Sequence, residues 1–234
     1  MSDRKLAVEY HDELNPKIWG GKDGKTLKPQ IREKCLEIVK EFEKFCATPL
    51  NVKEVVLIGS NANYNWTPTS DLDIHILCNI SALSNCKELT KEFFDVKNKK
   101  FKEQYGVTIY GLEIEVTVQD IKMGFESDGV YSLTKGKWLH VPKYSPPKYD
   151  EDEAREISDK WKHKITAAIK KPSSTHKSLE KLKDDLKKLR QSGLNRKGEF
   201  DEKNIAFKDL RKTGVVEKLK TVRDKKLKDE LSIK

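Results

Sequence analysis

The chain has 234 residues, 36% of them charged and 36% hydrophobic, with a formal net charge of +9. No stretch approaches the roughly 18 apolar residues of a membrane helix, and no apolar leader follows Met1, so the expectation is a soluble, cytoplasmic protein. Four cysteines, Cys35, Cys46, Cys78 and Cys86, show no C-x-x-C pair and no histidines at zinc spacing, which reads as reduced, mostly buried thiols.

The first segment, to about Pro29, is polar and holds Gly20, Gly21 and Gly24, as an arm on the surface would, with Ile18 and Trp19 as its anchors. From Gln30 to Phe45, Ile31, Cys35, Ile38, Val39 and Phe42 recur at helical spacing and predict an amphipathic helix facing the core. Val55 to Ile58 form a short apolar run that stops at Gly59, the pattern of a buried strand ending in a turn. Gly59 and Ser60 follow, then ten residues, then Asp71-Leu72-Asp73-Ile74-His75-Ile76. Strand side chains alternate, so Leu72, Ile74 and Ile76 take one face while Asp71, Asp73 and His75 take the other. A Gly-containing turn can bring backbone N–H groups to an anion. A half-exposed strand with a solvated acidic face is the plainer alternative.

Leu89 to Tyr105 predicts a second helix, with Phe93, Phe94, Val96 and Phe101 as core candidates. Ile109 to Val118 reads as one strand, with Glu113, Glu115 and Thr117 on one face and Ile114, Val116 and Val118 on the other. Beside the Asp71 strand, one of its glutamates would make a third carboxylate. Three such groups repel unless a hard cation sits between them, and Mg²⁺ prefers oxygen ligands. Residues 121–149 are rich in Gly and Pro and predict turns and short strands, where Tyr131 and Trp138 belong either to the core or to a base-stacking surface.

Residues 151–234 hold 25 Lys/Arg against 16 Asp/Glu, a net of +9, whereas the first 150 residues balance at 22 against 22. Ile157, Trp161, Ile165 and Ile169 mark one helical stripe, and Leu179, Leu182, Leu186 and Leu189 another. Gly193 and Gly198 are expected to end the second helix, and a last one to run from Asp201 through Phe207 and Leu210 to Leu219. This basic third suits either a nucleic-acid surface or solvated Lys-rich helices. The expected division is residues 1–150 and 151–234.

An apolar strand, Gly59-Ser60, a spacer, Asp71-x-Asp73 between apolar residues and a later strand acid resemble the DNA polymerase β-type nucleotidyltransferase superfamily. The resemblance implies an α+β fold: a mixed sheet with packed helices, followed here by a C-terminal helical bundle. It implies that Gly59 and Ser60 hold a nucleoside triphosphate, ATP foremost, and that Asp71, Asp73 and a third acid hold two Mg²⁺ ions. Glu115 is favoured over Glu113 because it sits deeper in the strand. The reaction implied is attack of an acceptor hydroxyl on the α-phosphorus with pyrophosphate leaving. Lys208 and Arg211 are candidates for phosphate contact, against the plainer reading of a solvent-facing helix. His75 is a candidate for substrate contact, with a hydrogen-bonded structural histidine as its alternative.

The pieces Leu14 to Trp19, Ala62 to Trp66, Gly129 to Leu133, and Gly198-Glu199-Phe200 with Phe207 to Arg211 also resemble nucleotidyltransferase-like proteins of tailed phages, which would place the protein in host cytoplasm. Three functions follow as alternatives: transfer of a nucleotide to an RNA end such as tRNA, nucleotidylation of a protein or small molecule, or non-catalytic binding of nucleotide or RNA. The full set of acids argues against the last.

Overall fold

A computed structural model describes residues 6, 8–125 and 127–233. The chain divides between Ser145 and Pro146 into a sheet unit beginning at Tyr10 and a helical unit, which also takes in Leu6, Val8 and Glu9.

The sheet unit runs β1 (Trp19–Gly20), β2 (Thr26–Leu27), α1 (Pro29–Cys46), β3 (Glu54–Ile58), a 3-10 turn at Ser60–Ala62, β4 (Leu72–Cys78), α2 (Ile80–Leu83), α3 (Lys87–Tyr105), β5 (Thr108–Ile109), β6 (Leu112–Asp120), β7 (Val130–Ser132) and β8 (Lys137–His140). Helix α1 begins on Pro29, whose fixed φ suits a first turn and whose missing N–H has no partner to lose there. It ends where Ala47 turns left-handed and returns its N–H to Lys44.

Six strands form one mixed sheet in the order β5-β6-β4-β3-β7-β8. Strands β4 and β6 are parallel and the other neighbours antiparallel. Leu72, Ile74 and Ile76 share a core with Ile114, Val116 and Val118, closed by Ile31, Cys35 and Phe42 of α1 and Phe94 and Phe101 of α3. Each such side chain contributes about 1.5–3 kcal/mol on burial, so this face holds the sheet in one register. The alternation that buries these residues leaves Asp73, His75, Glu115 and Thr117 on the opposite face.

Several expectations change. The strand expected from Ile109 to Val118 is a hairpin: Tyr110 (φ 50°) and Gly111 (φ 79°) are both left-handed and fold β5 back on β6. Of the aromatic and apolar set on α3, Phe94 and Phe101 are buried, but Phe93 and Val96 are exposed, because adjacent helical positions lie about 100° apart and only one stripe meets the sheet. Tyr131 and Trp138 pack around Trp19, with ring centroids at 5.2 and 4.6 Å; Tyr131 belongs to the core, and the half-buried Trp138 packs against it. Cys35, Cys46 and Cys78 are buried and Cys86 is exposed, all four as free thiols.

The helical unit contains α4 (Glu151–Lys170), α5 (His176–Lys197), α6 (Glu202–Lys212) and α7 (Val215–Leu231). Asp150 accepts from Glu153 N to cap α4, and Thr175 and Ser178 close a reciprocal cap on α5. Ile165, Leu179, Leu182, Leu186, Phe207, Leu210 and Leu219 make its core. Gly193 lies inside α5 rather than ending it: a Cβ there would come within 2.6 Å of Asp201 Oδ1, so the glycine admits the Asp201 side chain. The expected last helix is two, because Gly214 turns left-handed at φ 71° between α6 and α7. Among the described residues no helix is long and apolar enough to cross a membrane.

Candidate active site

Strand β3 delivers the chain to Gly59, which adopts φ 75° and ψ −164° before the turn at Ser60–Ala62. Only glycine fits here. Besides the left-handed φ, a Cβ would collide with the Asp73 carboxylate, which lies directly against the Gly59 backbone. Ile58 pairs with Asp73 on one side of β4, and Asp73 pairs with Glu115 on the other. Parallel partners in register share a face, so the Asp73 and Glu115 side chains leave the sheet side by side.

Asp71 sits one residue before β4, outside the ladder that begins at Leu72 and Ile114. Its main chain is braced by a residue that pattern reading missed. Asn61, fully buried, donates from Nδ2 to the carbonyls of Asp71 at 2.8 Å and Ser70 at 3.1 Å. A second missed residue, Asn63, donates to Gly59 O at 2.7 Å and to Ser127 Oγ at 3.0 Å, and accepts from Gly129 N at 2.8 Å. The signal available in the sequence was two asparagines in the residues just after Gly59-Ser60; the carbonyls they meet are brought there by the fold.

Lys102 of α3 separates the two glutamates. Its ammonium pairs with Glu113 at 2.6 Å. That bond raises the lysine's pKa above its ordinary range, with the charges of Asp71, Glu113 and Glu115 adding to it. Glu113 is thus committed to an ion pair, while Glu115 stands opposite Asp73. His75, one step along the same face, bonds through Nδ1 to Gln119 Oε1 at 2.6 Å, and Gln119 in turn donates to Gly124 O at 3.1 Å. Burial holds the His75 pKa below its usual value. Lys208 and Arg211 lie in α6, within the helical unit. The Lys208 ammonium is paired with Glu199, and Arg211 is exposed.

Residues 33–138 match the family model of the nucleotidyltransferase domain. This part of the chain is a nucleotidyltransferase domain. Its α+β architecture is that of the polymerase β-like superfamily, and the protein is an enzyme that moves a nucleoside monophosphate from a nucleoside triphosphate. No curated protein matches the chain in sequence. Among solved structures it is similar to spectinomycin adenyltransferase AAD(9) from Enterococcus faecialis, crystallised with ATP and spectinomycin, at 15% identity over 86% of this chain and 92% of that one, with a TM-score of 0.28.

The carboxylates suit Mg²⁺ by donor type, being oxygen ligands only. Among the described residues no three acidic, histidine or thiol groups stand as a ready-made cage. Mg²⁺ seldom takes one: it is held by one or two carboxylates together with substrate phosphates, and the Asp73–Glu115 pair across the nucleotidyltransferase sheet answers to that.

Proposed function

We propose that the nucleotidyltransferase domain transfers a nucleoside monophosphate to an acceptor hydroxyl at the face bearing Asp71, Asp73 and Glu115. Asp73 and Glu115 would hold Mg²⁺ together with the substrate phosphates, Asp71 joining them once the phosphates are in place, and Gly59 with Ser60 would hold the triphosphate. The observation that carries the reading is the Asp73 carboxylate set against Gly59 on one side and across from Glu115 on the other. A triphosphate lying along the Gly59–Ser60 turn therefore meets two carboxylates at once. When bound, the cation supplies charge neutralisation at the phosphates and lowers the pKa of the attacking hydroxyl. The chain's own part is positional: the turn offers backbone N–H groups, the ladder fixes Asp73 and Glu115, and the core behind them keeps the strands from shifting.

For the acceptor we favour an RNA end. Support comes from the helical unit, where the whole formal excess of +9 lies and where Lys171, Lys177, Lys187, Lys188, Arg211 and Lys212 are exposed. The test offers each of the four α-³²P nucleoside triphosphates with Mg²⁺ to the full chain in the presence of mixed RNA and protein. Label in RNA, lost on Asp73→Asn with an unchanged circular dichroism spectrum, is the expected result. Label in protein or in a small molecule would redirect the acceptor. Full transfer by Asp73→Asn would exclude the site.

A further inference from the structure

Asp73 and Glu115 are fixed by strand ladders, and Asp71 is not. Its main chain is braced by the side-chain amide of a buried asparagine, Asn61. Asn61 Nδ2 gives both hydrogens to main-chain carbonyls, Asp71 O at 2.8 Å and Ser70 O at 3.1 Å. Its Oδ1 accepts from Asn15 Nδ2 at 2.7 Å, and its main-chain carbonyl accepts from the Trp19 indole at 2.7 Å. Asn15 is itself buried and tied into the first segment: its Oδ1 accepts from Lys17 N, and its carbonyl from Ile18 N and Trp19 N. With two donors facing carbonyls and one acceptor facing a donor, the Asn61 amide has a single satisfied orientation.

We infer that Asn61 is a positioning residue for Asp71, and that Asn15 and Trp19 make the N-terminal segment part of the active site rather than a surface wrapping. The inference rests on the proposed function of the Asp71–Asp73–Glu115 face. It explains why a polar side chain is fully buried beside the Gly59–Ser60 turn, where an apolar one would leave two carbonyls unpaired at a cost. Asn61 touches no substrate in this role. It acts through the main chain of residues 70 and 71.

The test compares wild type, Asn61→Ser and Asn15→Ser in two measurements. Hydrogen–deuterium exchange of peptides spanning 67–72 and 73–78 reads the brace directly. Equilibrium binding of a nonhydrolysable nucleoside triphosphate, with and without Mg²⁺, reads its consequence. Asn61→Ser should speed exchange in 67–72 about tenfold, as loss of one to two hydrogen bonds does, and leave 73–78 protected. Mg²⁺-dependent nucleotide binding should weaken about tenfold, and kcat should fall roughly 100-fold, the scale of a small misplacement of a reacting group. Asn15→Ser keeps the Asn61 bonds to residues 70 and 71 and should show the same pattern at smaller size, which covers the case in which Asn61→Ser does not fold. Unchanged exchange in 67–72, or unchanged Mg²⁺-dependent binding in a folded variant, overturns the role of Asn61 alone. A wild type that binds no nucleotide overturns the reading of the face itself, and the inference with it.

Discussion

Two glutamates two residues apart share a strand face, so alternation alone leaves either as the third acid. Register and an ion pair separate them: Glu115 is the partner of Asp73, and Glu113 is bound by Lys102. Glu115→Gln should therefore lower kcat by at least about 100-fold, on the scale of losing one preorganised charged group in a site. Glu113→Gln should stay within about fivefold, the effect of an exposed ion pair. Steady-state kinetics on the two variants, with the same nucleotide and acceptor, decides the matter, and equal losses would refute the distinction. Gly59→Ala makes a second demand. The new Cβ collides with Asp73 in a left-handed backbone, so transfer should fall at least about 100-fold while far-UV circular dichroism is retained. At this scale the strand-borne acids and the glycine turn were legible because short-range alternation and backbone freedom are local properties. Asn61 and Asn63 were not, since their meaning depends on carbonyls and amides brought to them by loops up to 66 residues away.

Elements behaved in the same way: the helix stripe of α1 could be read from its spacing, whereas α3 could be read only in part. Both helices bury one face, but Phe93 and Phe94 are adjacent, and apolarity alone does not say which faces inward. Phe94 is 3% exposed within the core, and Phe93, at 38%, rests on Phe94 with Lys97 over its ring. Phe94→Ala should thus cost about 3–5 kcal/mol, the usual loss for a buried phenyl ring. Phe93→Ala should cost about 1 kcal/mol or less. Urea unfolding followed by circular dichroism measures both, and similar midpoints for the two variants would contradict the packing. The β5–β6 hairpin was hidden for a related reason. Its strands are β-rich on both sides of Tyr110-Gly111, so propensity ran straight through a two-residue turn whose only mark was one glycine.

On the scale of the whole molecule the charge is uneven, and the helical unit carries the excess while burying acids, two of them side by side. Asp201 and Glu202, 0% and 1% exposed, open α6, and Arg196 bonds to both, at 2.6 and 2.8 Å, with Lys197 at 2.9 Å from Glu202. Burial alone would push the Glu202 carboxyl upward, but the Lys197 ammonium and the main-chain N–H groups of Glu202 and Asp150 hold it at about 2, well below the ordinary 4.5. A carboxyl whose folded pKa is depressed takes up a proton more readily when unfolded, so its stabilisation is present above pH 4.5 and is lost as the pH falls toward 2. The loss from this one group is on the order of 3 kcal/mol across that window. Glu202→Gln leaves Lys197 and one arm of Arg196 without a counter-charge, so the variant should be less stable at pH 7. It should also unfold with a flatter pH dependence between 4.5 and 2 than the parent. Guanidinium titrations of both proteins at pH 7, 4.5 and 3, followed by Trp161 fluorescence with Trp19, Trp66 and Trp138 replaced by Phe in both, isolate the helical unit. Parallel stability–pH curves for the two proteins would mean that the buried pair contributes nothing to acid sensitivity.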